Sequence, residues 1–302
     1  MRIGRHMPTH SNAVKAAQIA RDIGCNAIQI FASNPTGWRP PADNPDRYAA
    51  FAQAARAYDL APVVIHAPYL INLASPEAFI WDKSRALLAW TLQRGAPLGA
   101  SYVVFHTGSH KGTSIDEGIK RIIEGIALIL LETPADVMLL LENDVGAGNS
   151  LGARFEQLGA VLDALPMYHD RLGVCLDTAH LWGAGHDLST ADSTRQVLQQ
   201  FDAAVGLARL RVLHLNDTKV APGSHRDIHA RIGEGIISQE GLRALLTDPR
   251  LSHVALILET PIQTDEQDKE DWEHDRQHLE RVKALAAPPS CEAGATLSIP
   301  DR

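Results

Sequence analysis

Short apolar runs recur along the chain with helical stretches between them. The runs are Val63-Val-Ile65, Tyr102-Val-Val-Phe105, Val137-Met-Leu-Leu-Leu141, Leu172-Gly-Val-Cys-Leu176, Leu210-Arg-Val-Leu213 and Val254-Ala-Leu-Ile-Leu258. They lack the strict in-out alternation of a half-exposed strand, which suits parallel strands buried on both faces. Two further strands are expected at 2–5 and 24–31. A helix beginning near Ser11, a good N-cap, presents Ala16, Ile19, Ala20 and Ile23 on one face at helical spacing. The segment after Ser114 repeats that spacing with Ile119, Ile122, Ile123 and Ile126. Other helices are expected at 45–58, 77–95, 152–164, 191–204, 239–247 and 266–286. Eight strands alternating with about as many helices, at a βα period of roughly 35–45 residues, predict an α/β fold, a (β/α)8 TIM barrel. No linker or change of composition interrupts residues 1–286, which read as one catalytic barrel. Residues 287–302 are small, polar and proline-bearing and read as a disordered tail.

Composition agrees with a large core. The 302 residues are 45% hydrophobic and 21% charged, which excludes wholesale disorder. No run approaches the roughly 18 apolar residues of a membrane span, and Met1–Met7 has no apolar segment of a secretory signal. Three widely spaced cysteines, Cys25, Cys175 and Cys291, do not form a disulfide framework and fit a reducing cytoplasm. The net charge of −8 argues against binding nucleic acid through overall charge, but bound metal ions change that balance locally.

Six apolar runs end in a residue able to bind metal: His66, His106, Glu142, Asp177, His214 and Glu259. In a parallel barrel all such ends converge on one face, where barrel active sites lie. Three more candidates, His180, Asp227 and His229, fall in the loops just beyond. If 227–229 is extended, its two end residues project to the same side and can grip one ion. Singly, each is explained as a cap or a satisfied polar group. Gathered without metal, four carboxylates and five imidazoles would suffer repulsion and desolvation. This donor set favours Zn²⁺, with Mn²⁺ possible at an oxygen-richer position. Nine donors at three or four per ion suit three ions. Three divalent ions exceed four carboxylates by two charges, enough to hold a hydroxide and a phosphodiester.

The stretches His66-Ala-Pro-Tyr-Leu-Ile-Asn-Leu-Ala-Ser75, Phe105-His-Thr-Gly-Ser-His110, Leu141-Glu-Asn143, Cys175-Leu-Asp-Thr-Ala-His180, Leu213-His-Leu-Asn-Asp-Thr-Lys219, Asp227-Ile-His-Ala-Arg-Ile-Gly-Glu-Gly235 and Leu258-Glu-Thr-Pro261 resemble the endonuclease IV family. These are zinc-dependent apurinic/apyrimidinic endonucleases of base-excision repair. The resemblance runs from about residue 2 to 283 and implies a trinuclear zinc site. His66, His106 and Glu142 would hold one ion. Glu142 would bridge to a second, held also by Asp177, His214 and Glu259. His180, Asp227 and His229 would hold the third. The implied reaction is hydrolysis of the DNA phosphodiester 5′ to an abasic site, with trimming of blocked 3′ ends. A hydroxide bridging the Glu142-linked pair would be the nucleophile, oriented by Glu259.

The implied partner is double-stranded DNA carrying abasic sites or blocked 3′ ends, met by a cytoplasmic monomer with no membrane contact. Tyr69-Leu70 resembles the family's wedge beside an extruded sugar. Trp38 and Arg39, with the loop cations Lys111, Lys219, Arg226 and Arg231, are candidates for the DNA backbone. Asn216 and Asp217 are expected beside the ligands or a phosphate, and His6 beside the ligands. The chain departs from the family at Thr36, Thr107 and Ile228, which suggests an intact catalytic centre under an altered DNA surface. The alternatives are a xylose-isomerase-like sugar isomerase or epimerase using fewer ligands, and a barrel that binds damaged DNA or metal without turnover.

Overall fold

The computed structural model describes residues 1–9, 12–262, 264 and 270–287. Eight parallel strands close into a barrel: β1 (Arg2–His6), β2 (Ala27–Phe31), β3 (Val63–His66), β4 (Tyr102–His106), β5 (Met138–Glu142), β6 (Leu172–Asp177), β7 (Leu210–His214) and β8 (Ala255–Leu258). They pair in chain order, and β1 closes on β8 with Arg2 beside Ala255 and Arg5 beside Leu258. Closure brings β1 so near β2 that a Cβ at Gly4 would lie 2.1 Å from the Ala27 carbonyl oxygen, so glycine is required there.

The outer layer consists of α1 (Ala13–Asp22), α2 (Pro45–Ala57), α3 (Ala78–Gly95), α4 (Ile115–Glu132), α5 (Phe155–Asp163), α6 (Thr178–Ala184), α7 (Ala191–Ala204), α8 (Gln239–Leu246) and α9 (Trp272–Ala286). In α4, Ser114 and Glu117 form a reciprocal capping box, and Ile122 and Ile126 are buried against the barrel. Three details differ from expectation. The described N-cap of α1 is Asn12, whose side chain accepts from the Lys15 amide, whereas Ser11 lies outside the described residues. The last helix starts at Trp272 with Asp271 as its cap; of the expected earlier start, residues 266–269 lie outside the description, as do residues 288–302 of the expected tail. The segment after β6, expected as a loop, is helix α6. Asp177 makes the difference, because its carboxylate accepts the His180 amide at 3.0 Å and caps that helix. Among the described residues, no helix is long and apolar enough to cross a membrane.

The core has two parts. The larger fills the space between helices and strands, with Phe51, Phe105, Phe201, Ile122 and Ile126 fully buried. The smaller fills the barrel itself: Ala27, Val64, Val104, Leu140, Cys175, Val212 and Ile257, one from each of seven strands. Strand side chains alternate between faces, so the residue two further along each strand also faces the axis. Those residues are Gln29, His66, His106, Glu142, Asp177, His214 and Glu259. His6 stands two beyond Gly4 on β1 and completes a polar ring above an apolar floor.

Candidate metal centre

Strand register brings the ring together. His106 is paired with Glu142 across β4 and β5, and Asp177 with His214 across β6 and β7. Glu142 lies at the middle, fully buried. Its Oε2 is 3.1 Å from His66 Nε2 and 3.6 Å from His106 Nε2. Its Oε1 is 2.8 Å from His214 Nδ1 and 3.7 Å from His180 Nδ1. His214 Nδ1 also lies 3.2 Å from Glu259 Oε2. On the far side, His229 Nε2 is 3.0 Å from Asp227 Oδ1 and 3.5 Å from Asp177 Oδ2, and His180 Nε2 is 3.4 Å from Asp227 Oδ1.

The structure thus brings all nine candidate donors into one cluster. Among the described residues, groups whose donor atoms lie within 4.8 Å of one another are His66–His106–Glu142, Glu142–Cys175–His214, Glu142–Asp177–His214–Glu259 and Asp177–His180–His229. Glu142 belongs to three of these groups and Asp177 to two. His180 reaches the cluster from α6, one helical turn past Asp177. Asp227 and His229 reach it from the loop after β7, projecting to one side as an extended pair does.

The hydrogen bonds determine which atom of each imidazole is free. His66 Nδ1 donates to the Ala67 carbonyl at 2.7 Å and His180 Nδ1 to the Asn143 carbonyl at 2.8 Å, while the Glu259 carbonyl lies 3.4 Å from His229 Nδ1. A carbonyl oxygen only accepts, so each Nδ1 carries a proton, and once the ring is neutral, as metal binding requires, the lone pair is on Nε2. His180 Nε2 and His229 Nε2 are buried without an aligned hydrogen-bond partner, although Asp227 is close to both. Lone pairs aimed at a shared space, each backed by a carbonyl, are what a divalent cation requires. The residues therefore fit a metal centre.

Electrostatics in the metal-free cluster follow from crowding. Burial would raise the Glu142 carboxyl, but the imidazoles of His106, His214 and His66 outweigh it and hold it well below the usual range. Burial would lower His229, but Asp177, Asp227 and Glu259 push it up to about 9. His180 is likewise raised well above its ordinary value, against its burial, by Asp177, Asp227 and Glu142. His106 goes down because burial dominates, with His66 and His180 adding to it. In the metal-free protein, protons on His180 and His229 stand in for cations.

Residues around the cluster orient it. Asn216 Nδ2 donates to Asp177 Oδ2 at 2.6 Å, and its Oδ1 accepts the Glu259 amide at 2.9 Å. Asp217 is fully buried and accepts the backbone amides of Thr218, Gly233, Gly235 and Ile237 at 2.8–3.0 Å. It anchors the loop that carries Asp227 and His229, rather than facing a phosphate. Asp217→Ala should strip those four amides of their acceptor and loosen this loop. We expect weaker metal uptake at the His180–Asp227–His229 group, by roughly 10- to 100-fold, in a barrel that still folds; unchanged affinity in a chelator competition would contradict this role.

Two buried residues were not placed beside the cluster by the sequence. Gln29 from β2 contacts three members of the ring, and Cys175 lies in the floor beneath Glu142 and His214. The Cys175 thiol is pushed up to about 12 by burial and stays neutral.

The expected DNA-facing residues divide. Tyr69 is 56% exposed at the mouth, its ring 5.4 Å from Phe31 and 5.6 Å from His66. Leu70 beside it is half-buried, and Arg39, Lys111, Lys219 and Arg226 are exposed. Trp38 is half-buried and packs on the core. Arg231 is a correction. It is 4% exposed, and its guanidinium reaches Asp275 Oδ1 at 3.2 Å and the Pro261 carbonyl at 3.1 Å. Asp275 also pairs with buried Arg5 at 2.7 Å, so Arg231 ties its loop to α9 and does not face solvent. A cavity of about 770 Å³ opens beside Glu259 and His229 and runs toward Arg39, Arg47 and Tyr48.

Comparison with known proteins places this geometry. A family model described as Xylose isomerase-like TIM barrel matches residues 17–282. A "Probable endonuclease 4" from Halothermothrix orenii is 40% identical over 261 residues, covering 86% of this chain and 94% of the relative. The crystal structure of endonuclease IV from Thermus thermophilus superposes with a TM-score of 0.81 at 38% identity, covering 94% of this chain and 98% of that one. D-Psicose 3-epimerase from Clostridium cellulolyticum superposes with a TM-score of 0.66 at 16% identity, covering 95% of this chain and 96% of the other, a likeness of fold alone. The chain belongs to the endonuclease 4 family of xylose isomerase-like TIM barrels.

Proposed function

We propose that this chain is a metal-dependent deoxyribonuclease IV that hydrolyses the DNA phosphodiester 5′ to abasic sites and trims blocked 3′ ends, as a cytoplasmic monomer in base-excision repair. The observation that carries this reading is the convergence of nine donors into one cluster of overlapping groups. The endonuclease names of its relatives support strand cleavage over sugar chemistry.

We assign His66, His106 and Glu142 to one ion, Glu142, Asp177, His214 and Glu259 to a second, and His180, Asp227 and His229 to a third. The imidazole count favours Zn²⁺, and the second group, richest in oxygen, suits Mn²⁺ best. When bound, the ions supply an activated water and neutralise charge on the phosphodiester. The chain's own residues do the rest. Glu142 spans two groups and fixes their spacing. Glu259 stands at the cavity wall and orients the attacking water. Tyr69 and Leu70 fill the space an extruded sugar leaves, with Trp38 beside them. Arg39, Lys219 and Arg226 meet phosphates, which net charge alone does not reveal.

The test is a duplex with one synthetic abasic site, offered to the metal-loaded protein before and after chelation, beside an intact duplex and a ketose. We expect cleavage 5′ to the abasic site, leaving a 3′-hydroxyl, only with metal present. An uncut duplex, or conversion of the ketose, would overturn the reading.

A further inference from the structure

Gln29 is fully buried in the polar ring, and its amide is saturated. Nε2 donates to Glu259 Oε1 at 2.5 Å and to His6 Nδ1 at 2.9 Å. Oε1 accepts from His214 Nε2 at 2.8 Å. The amide orientation is dictated by its partners, since the end beside a carboxylate must be the nitrogen. The oxygen therefore faces His214, whose Nε2 must carry the proton. In the neutral ring, the form that binds a metal, the lone pair of His214 is then on Nδ1, the atom turned toward Glu142 and Glu259. The same amide occupies Glu259 Oε1 and leaves Oε2 facing His214 Nδ1. His214 is thus the reverse of His66, His180 and His229, which turn Nε2 inward and are held by backbone carbonyls. On β7 the ring nitrogen nearer the backbone faces the centre, and a side chain from β2 enforces that choice.

We propose that Gln29 is a positioning residue: by fixing the tautomer of His214 and the free oxygen of Glu259, it sets the affinity and geometry of the metal position those two residues share. The inference rests on the metal-centre reading above. Gln29 has no exposed surface, so it acts through the ligands and not on DNA. Its loss affects turnover and leaves substrate capture alone.

The test uses metal-free wild-type protein, Gln29→Met and Gln29→Glu. Each is titrated with Zn²⁺ against a chelator of known affinity, and with Co²⁺ read by its visible absorption. Gln29→Met keeps the volume and loses all three hydrogen bonds. Gln29→Glu keeps the acceptor for His214 but sets a second carboxylate against Glu259. In both we expect one ion of the bound set to weaken by about 10- to 100-fold, the Co²⁺ spectrum to change, and kcat on abasic duplex to fall with KM unchanged. If Gln29→Met fails to fold, the isosteric Gln29→Glu carries the test. Wild-type affinity and spectrum in the folded variant would overturn the inference, even if its thermal stability fell. Wild-type protein that binds no Zn²⁺ or Co²⁺ would overturn the metal-centre reading and this inference together.

Discussion

Glu142→Gln should leave a folded barrel that no longer cuts abasic DNA. The substitution preserves shape, so the buried site gains no cavity. It removes the one negative charge that four imidazoles surround, those of His66, His106, His180 and His214. An amide also offers one acceptor in place of two and turns a donor toward lone pairs. Removing one preorganised electrostatic group from a reaction centre costs about 100- to 1,000-fold in turnover, and turnover should fall by at least about 100-fold here. Single-turnover cleavage, read beside circular dichroism of the same sample, separates lost chemistry from lost fold. Full activity in the variant would remove Glu142 from the centre.

The second large effect is metal removal. Chelation should end cleavage and lower the thermal midpoint by roughly 10 °C or more. An ion at a thousandfold excess over its dissociation constant stabilises the folded state by about 4 kcal/mol, and 1 kcal/mol moves the midpoint of a chain this size by about 2 °C. The pH dependence has a definite sign. In the metal-free protein His229 lies near 9, raised from the ordinary 6.5, so it is protonated at neutral pH. Its pairing with carboxylates then stabilises the metal-free fold fully below pH 6.5 and fades as pH rises through 9. Metal binding runs the opposite way, because each entering ion must expel those protons. Zinc affinity should rise with pH between 6.5 and 9, and binding at pH 7 should release protons. Calorimetry in buffers of different ionisation heat measures that release, and its absence would contradict the ligand assignment of His229.

Much of this centre was legible because barrel strands end where their chemistry begins. His66, His106, Glu142, Asp177 and His214 are the final residues of their strands, and Glu259 follows β8 directly. Gln29 escaped because β2 continues two residues past it to Phe31. The rule that finds it is the strand period of two, counted upward from the apolar floor. Helix α6 escaped because Asp-Thr-Ala-His carries no apolar periodicity; the cap at Asp177 makes it helical. Arg231 was misread because a charge in a loop looks solvated until its partner is known. That partner, Asp275, lies 44 residues away on α9. Long-range pairing of this kind leaves no local trace.

The two-residue offset between floor and ring has a consequence for tolerated change. Every strand delivers one small or apolar plug and then one polar group to the axis. A single residue inserted or deleted between them would rotate that group outward into the greasy shell beneath the helices. Substitutions can retune this centre one position at a time, but length changes within its strands cannot. Variation in chain length is therefore confined to the connecting loops.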